Sequence, residues 1–155
     1  MLNNFIDRLY HHIIEKGPTM RAIPAVEKYM TMLPHTIGAE QTLASADRMM
    51  REYRIRHLPV VKAGQLVGVI SDRDLRVVEG FKDVDPNVMT IEDAYCKDAY
   101  RVSPKAPISE VCAEMTNHKY GCVLVVDNHK LVGIFTWVDA LRAFTSLLET
   151  RLTAH

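Results

Sequence analysis

The chain has 155 residues, 48% of them hydrophobic and 25% charged, which is the composition of one globular domain rather than of a disordered chain. Lysine plus arginine and aspartate plus glutamate number 19 each, so no net charge attracts nucleic acid or an anionic membrane, and we expect neither partner. The cysteines Cys96, Cys112 and Cys122 have no CxxC spacing, which favours reduced thiols in a cytoplasmic protein.

An amphipathic helix is predicted at the start of the chain, ending at Gly17-Pro18. Its polar face mixes both charge signs, and it has neither a continuous apolar run nor the basic opening of a signal peptide. We therefore expect this helix to pack on its own domain or on a partner chain rather than on a membrane. The apolar face comprises Leu2, Phe5, Ile6, Leu9, Ile13 and Ile14.

A pattern in the first half of the chain recurs 65 residues later without a gap, which identifies an internal repeat. Each copy spans about sixty residues and is too small to bury a stable core alone, so two copies packed face to face are expected to form one pseudo-symmetric unit. The identical positions are Met50 and Met115, Val60-Val61 and Val125-Val126, Leu66-Val67-Gly68 and Leu131-Val132-Gly133, and Asp74 and Asp139.

Each copy predicts the order strand, helix, strand, strand, helix. The strands are apolar almost throughout, so helices must cover both faces of each small sheet, and the predicted class is α/β (α+β). Thr42 is expected to cap the first helix of copy one. The remaining predicted elements are strands at 36–37, 57–62 and 66–71 and a helix at 72–79 in copy one, with strands at 122–126 and 131–135 in copy two.

The domain organisation follows from the repeat. We expect an N-terminal helix and linker at 1–24, the first repeat at 25–80, a connector at 81–90, and the second repeat at 91–155 with an extended closing helix. That helix carries an apolar stripe longer than its own repeat can cover, so a homodimer joined through helices is predicted. The stripe comprises Val138, Leu141, Phe144, Leu148 and Leu152.

The sequence contains no recognisable catalytic or metal-binding pattern. His11 and His12 are adjacent, so a helix would point them about 100° apart, and the other histidines have no ligand spacing with Cys, Asp or Glu. No nucleophile is paired with a base, and no two carboxylates are set in contrasting environments. We expect no metal, no obligatory cofactor and no enzymatic activity.

One motif occurs in both copies and suggests a ligand. Ser71 and Thr136 each end a strand and begin a helix, where free N–H groups and the helix dipole favour an anion. Asp74 and Asp139 follow three residues later, so that each carboxylate faces the same way as its hydroxyl and suits the paired hydroxyls of a ribose. The same Ser/Thr-x-x-Asp pattern is also a capping box, which needs no ligand. Both interpretations stay open at this point.

The residues taken together resemble a known family. Met30-Thr31 stands ahead of Pro34, the run IRHLPVV begins at Ile55, and a glycine precedes two apolar residues and the Ser/Thr-x-x-Asp motif. This pattern is similar to the cystathionine-beta-synthase (CBS) domain, and two in tandem resemble a Bateman module. The resemblance covers about residues 26–149 and is closer in the first copy.

The resemblance implies a regulatory module that binds an adenosine-containing ligand in clefts between the repeats and signals to an effector protein that the sequence does not name. The ligand would be AMP, ADP or ATP, or S-adenosylmethionine or NAD. A purely structural dimerisation module without a ligand is the alternative. The residues implied in nucleotide binding are Thr36, Ile37, Arg56, His57, Ser71, Arg73 and Asp74 in copy one, and Arg101, Val102, Gly121, Thr136 and Asp139 in copy two.

The second copy departs from the pattern. Gly121-Cys122 replaces Arg56-His57, the pair placed like basic residues that approach phosphates in similar modules. The second cleft is therefore expected to have little positive charge, with only Arg101 and Lys119 nearby, and to bind weakly, bind a less charged ligand or remain empty.

Overall fold

The structure is a computed structural model that describes residues 22–152, with side chains described as far as Thr150. The predicted N-terminal helix lies outside the described residues. The expected order of strand, helix, strand, strand, helix is confirmed in both repeats. The elements are β1 (Thr31–Met32), β2 (Ile37–Gly38), α1 (Leu43–Tyr53), β3 (His57–Lys62), β4 (Gln65–Ser71), α2 (Asp72–Glu79), β5 (Arg101–Val102), α3 (Ile108–His118), β6 (Cys122–Asp127), β7 (Lys130–Thr136) and α4 (Trp137–Leu152).

The described strands form two sheets. One has the order β2-β3-β4 and the other the order β1-β7-β6-β5. In each, the short strand that opens the repeat runs parallel to the next, and a two-residue hairpin turn then reverses the chain. Ala63-Gly64 and Asn128-His129 form these turns with positive φ at both residues, as type I′ turns require.

The leading segment of each repeat, which precedes its strand-helix-strand-strand-helix elements, crosses to the sheet of the other repeat. Thr31 pairs with Ile134 on β7, and Cys96 pairs with Val69 on β4. The second bridge has two backbone hydrogen bonds, of 3.1 and 2.9 Å. Position 96 is position 31 plus 65, and position 69 is position 134 minus 65, so the two bridges are equivalent under the 65-residue repeat. The crossing therefore obeys the same pseudo-two-fold symmetry as the sequence repeat, and the two sheets interlock.

Two glycines at equivalent positions make room for this crossing. A Cβ at Gly68 would collide with the carbonyl oxygen of Cys96 and the ring of Tyr95, and one at Gly133 would collide with the side chain of Met30. At Gly68 the obstacle is backbone, so a larger residue would displace the crossing segment, whereas at Gly133 the Met30 side chain would have to move. Close packing thus explains why both copies have glycine at this position.

Each repeat has its own apolar core, and a third cluster lies where the two sheets meet. Val26, near the start of the first repeat, is fully buried in the core of the second, as the crossing requires. The residues that pack into one core therefore do not form one contiguous stretch of sequence. Fully burying an aliphatic side chain contributes about 1.5–3 kcal/mol, so these contacts tie the repeats into one unit. The shared cluster comprises Val69, Cys122, Leu124 and Ile134.

The helix that closes the second repeat is longer than its counterpart, as predicted. α4 has 16 residues and α2 has 8. Its apolar residues are exposed in the single chain, with Leu141 62% and Phe144 59% accessible. Among the described residues, no helix is long and apolar enough to cross a membrane.

Candidate functional site

A cleft of about 180 Å³ lies between the repeats, at the end of β4 where α2 begins. Both repeats contribute to it, because the segment ahead of β5 crosses over β4. Any molecule in the cleft would contact both halves of the protein at once. The lining residues are His57, Val69, Ser71 and Asp74 from the first repeat, and Cys96, Asp98, Ala99, Tyr100, Lys119, Tyr120, Gly121 and Cys122 from the second repeat and its leading segment.

Ser71 and Asp74 form a closed pair at the start of α2. The Asp74 Oδ2 atom accepts hydrogen bonds from the Ser71 backbone N–H at 2.8 Å and from the Ser71 hydroxyl at 2.6 Å. The Asp74 N–H donates in turn to Ser71 Oγ at 3.2 Å. This is a complete capping box, so the structural interpretation of the motif holds. Asp74 lines the cleft, and among the described residues nothing donates to its Oδ1 atom.

His57 lies where the two repeats touch. An added Cβ at Gly121 would approach His57 Nε2 to 2.6 Å, so the ring packs directly against that glycine's backbone. Burial lowers the pKa of His57 below its ordinary value of 6.5, against the raising effects of Asp72 and Asp74, and Arg56 lowers it further. The imidazole is therefore neutral at pH 7.

Aromatic and sulfur groups form the second repeat's side of the cleft. The rings of Tyr100 and Tyr120 stack with centroids 5.5 Å apart, and His118 extends the stack beyond Tyr120 at 5.2 Å. Burial raises the pKa of the Cys122 thiol to about 12, so this cysteine stays protonated and unreactive and contributes apolar surface to the cleft. Such a surface suits a flat, largely apolar group such as a base.

The equivalent motif of the second repeat is more deeply buried. Asp139 Oδ2 accepts from the Thr136 N–H at 2.8 Å and from the Thr136 hydroxyl at 2.7 Å, repeating the geometry of the first motif. The residue is only 4% accessible, and Oδ1 faces Arg142 Nη1 at 3.5 Å. Both oxygens of Asp139 thus have partners within the chain.

Four of the twelve residues implied by the resemblance line the cleft, namely His57, Ser71, Asp74 and Gly121. The other eight do not line it. Ile37 is a core residue at 1% accessibility, and Val102 is half-buried in the core of the second repeat. Thr36 immediately precedes β2, Arg101 is exposed on β5, Arg73 is exposed on α2, Arg56 faces Asp72 at 3.9 Å, and Thr136 and Asp139 form the second motif.

Several lining residues were not expected from the sequence. Lys119, expected beside the motif of copy two, lines the cleft of copy one, and Tyr100, Asp98 and Cys96 join it there. The crossing of the leading segment brings Cys96, Asp98 and Tyr100 to the other repeat, and Lys119 reaches the cleft from the end of α3. The signal that could have located them is the glycine shared by both copies inside a strand, at Gly68 and Gly133, which implies close approach by another segment.

A larger groove of about 510 Å³ lies between α1 and α2 of the first repeat. It is lined by the arginines 51, 54, 56 and 76 and by three acids, and its charges largely satisfy one another. Arg51 pairs with Asp47 at 2.9 Å, and Asp72 pairs with Arg76. Because this groove lacks the hydroxyl-carboxylate motif and belongs to one repeat only, the smaller cleft is the better candidate. No group of three or more His, Cys, Asp or Glu in residues 22–152 could hold a metal ion.

The sequence profile of the CBS domain matches residues 25–79 and 88–146, which together make up most of the chain. The chain belongs to the CBS domain family. It is a tandem pair of CBS domains, a regulatory ligand-binding module, as the sequence pattern predicted. The matched ranges also include both leading segments that cross between the sheets.

Related proteins share this CBS pair. Hypoxic response protein 1 of Mycobacterium tuberculosis is 35% identical over 108 residues, covering 68% of this chain and 75% of that protein. The crystal structure of a candidate acetoin utilization protein (AcuB) from Vibrio cholerae superposes with a TM-score of 0.77 at 33% identity, covering 86% of this chain and 98% of that one. The CBS domain pair of protein MJ0100, in complex with 5′-methylthioadenosine and S-adenosyl-L-methionine, gives 0.72 at 27% identity, with 80% and 98% covered.

Some relatives are enzymes that contain a CBS pair as a minor part. The L-aspartate semialdehyde sulfurtransferase of Methanocaldococcus jannaschii is 28% identical over 132 residues, covering 84% of this chain but only 25% of that enzyme.

Hypoxic response protein I has also been crystallised with two coordinated zinc ions, at 30% identity and a TM-score of 0.68, with 76% of this chain and 97% of that one covered.

Proposed function

We propose that this CBS pair senses an adenosine-containing small molecule in the cleft between its repeats and passes the signal to a partner protein. The observation that carries the proposal is the shared construction of the cleft. Asp74 and His57 come from one repeat, and Tyr100 and Gly121 from the other. A ligand that touches both repeats can favour one relative position of the repeats over another, which is the thermodynamic requirement for a sensor.

The adenosyl assignment rests on complementary chemistry on the two sides of the cleft. Asp74 presents an oxygen without a donor, which suits a ribose hydroxyl, and charge-assisted hydrogen bonds of this kind contribute about 1.5–3 kcal/mol. The stacked pair Tyr100 and Tyr120 offers the apolar surface that a purine needs. The related MJ0100 pair, crystallised with 5′-methylthioadenosine and S-adenosyl-L-methionine, supports the same ligand class.

The signal is proposed to leave the module through its helices. α4 exposes Val138, Leu141 and Phe144, an apolar face that suits a second copy of the chain in a homodimer. The cytoplasm is the proposed compartment, since the three cysteines are free thiols. Catalysis is not part of the proposal, because the cleft's one buried thiol, Cys122, has a pKa raised to about 12.

A structural dimerisation module is the second candidate. The complete Ser71–Asp74 capping box favours it, because the motif then has a role in the fold that requires no ligand. The exposed apolar face of α4 is compatible with both candidates.

Thermal melting with adenosine, AMP, ADP, ATP, S-adenosylmethionine and NAD distinguishes the two. A ligand that binds only the folded protein adds about 2.7 kcal/mol at one hundred times its Kd, which corresponds to a rise in Tm of roughly 5–10 °C. At least one adenosyl compound should produce such a rise, with cytidine as the matched control. No rise with any of the six, each at millimolar concentration, would favour the structural module.

A further inference from the structure

The ionisable groups that line the cleft sum to a negative charge. Asp74 and Asp98 contribute two carboxylates, and Lys119 contributes one amine. His57 adds nothing at pH 7, because burial lowers its pKa. The cleft thus has two negative groups and one positive group, the opposite of a site built for several phosphates.

The start of α2 compensates little, because three of its backbone donors already have acceptors within the chain. The Ser71 N–H donates to Asp74 Oδ2, the Asp74 N–H donates to Ser71 Oγ, and the Asp72 N–H donates to the Arg56 carbonyl at 3.0 Å. Two carboxylates in the first turn, Asp72 and Asp74, also neutralise the positive end of the helix dipole. An incoming phosphate would have to displace these acceptors.

The arginines expected to approach phosphates lie elsewhere. Arg56 is 80% accessible and faces Asp72, which also pairs with Arg76 on the α1–α2 groove. Arg73 is exposed on α2 and is not among the lining residues. Lys119 is therefore the one cation that lines the cleft among the described residues, and two acids, Asp74 and Asp98, line it as well.

We propose that this cleft selects adenosine derivatives whose 5′ group is neutral or positively charged over nucleoside phosphates, and that Asp98 is a specificity-determining residue. The inference rests on the proposed adenosyl function and names the ligand class for that site. Asp98 is exposed at the cleft and makes no hydrogen bond or ion pair among the described residues, so its charge is uncompensated. The apolar wall of Tyr100 and Tyr120 also suits a cation, since aromatic faces attract positive charge.

The test is calorimetric titration at low salt of adenosine, AMP, ATP and S-adenosylmethionine into the parent protein and into Asp98→Asn. In the parent, affinity should fall from adenosine to AMP to ATP, and S-adenosylmethionine should bind at least as tightly as adenosine. In Asp98→Asn, ATP should gain about three- to fivefold relative to adenosine, and S-adenosylmethionine should lose a similar factor. Both changes should shrink as salt is added.

Asp127→Asn is the matched control, because it removes the same charge from an exposed residue at the far end of β6. It should leave the order of affinities unchanged. Tighter binding of ATP than of adenosine by the parent would overturn this inference and leave the adenosyl function standing. Failure of all four compounds to bind would overturn the function and this inference together.

Discussion

The imidazole of His57, in the first repeat, lies against the backbone of Gly121, in the second, with no room for a side chain between them. A methyl group built on Gly121 would lie 2.6 Å from Nε2 and 3.2 Å from Cε1 of the ring. This contact is one of the places where the two repeats fix their relative position. It also forms part of the candidate ligand cleft.

Gly121→Ala should therefore destabilise the protein. Forcing extra volume into a packed contact costs about 1–3 kcal/mol, measured as a loss in the free energy of unfolding by urea. In a His57→Ala background the same substitution should cost less, because the ring that it meets is gone. Additive costs in this double-mutant cycle would contradict the contact.

His57 should also make stability depend on pH. Burial lowers its pKa below 6.5, so the unfolded chain takes up the proton before the folded protein does. Stability from this residue is complete above pH 6.5 and is lost as the pH falls from there through the lowered pKa, by at most about 1.4 kcal/mol per pH unit.

Urea unfolding of the parent and of His57→Gln at pH 7 and pH 5 measures this effect. The parent should lose more stability on acidification than the variant does. His129→Asn, in the exposed turn between β6 and β7, is the matched histidine control. Equal losses in the parent and in His57→Gln would show that this imidazole does not couple folding to protonation.

The two equivalent aspartates should differ in their importance for folding. Asp139 is 4% accessible and has partners on both carboxylate oxygens, whereas Asp74 is partly exposed and uses one oxygen. Asp139→Ala should lower the free energy of unfolding by about 2 kcal/mol, and Asp74→Ala by about 1 kcal/mol, the usual cost of a lost cap. Asp127→Ala should change it little. A larger loss for Asp74→Ala would reverse the ranking.

The exposed face of α4 predicts the oligomeric state. The parent should scatter light as a particle of twice the chain mass of 17.6 kDa, and Leu141→Glu should reduce it to the single chain, because a carboxylate cannot be buried in an apolar contact without cost. Val88→Glu, at an exposed position in the connector that joins the repeats in sequence, should leave the dimer intact. A monomeric parent would contradict the prediction.

Much of the fold could be predicted from the sequence because its signals are local. Apolar runs, two-residue turns and the cap at Thr42 each depend on neighbouring residues, and the 65-residue repeat doubled every signal. The crossing of the leading segments could not be predicted in this way. Thr31 and Cys96 look the same whether they pair with their own sheet or with the other one.

The predicted site and the structure also differ at residues outside the crossing segments. Lys119 follows α3 in the second repeat, yet it lines the cleft beside Asp74 of the first. Ile37 reads as a strand residue near a ligand, but its side chain fills the first core, because β2 runs beside β3 with Ile37 opposite Val60. Long-range packing decides both placements.

The central claim, that Asp74 at the inter-repeat cleft holds the ribose of an adenosyl ligand, is tested most directly by titrating adenosine into the parent, Asp74→Ala and Asp139→Ala in a calorimeter, with melting curves to establish that each variant is folded. The parent and Asp139→Ala should give the same saturable heat, and Asp74→Ala should bind at least ten times more weakly. Equal binding by all three folded proteins would contradict the claim.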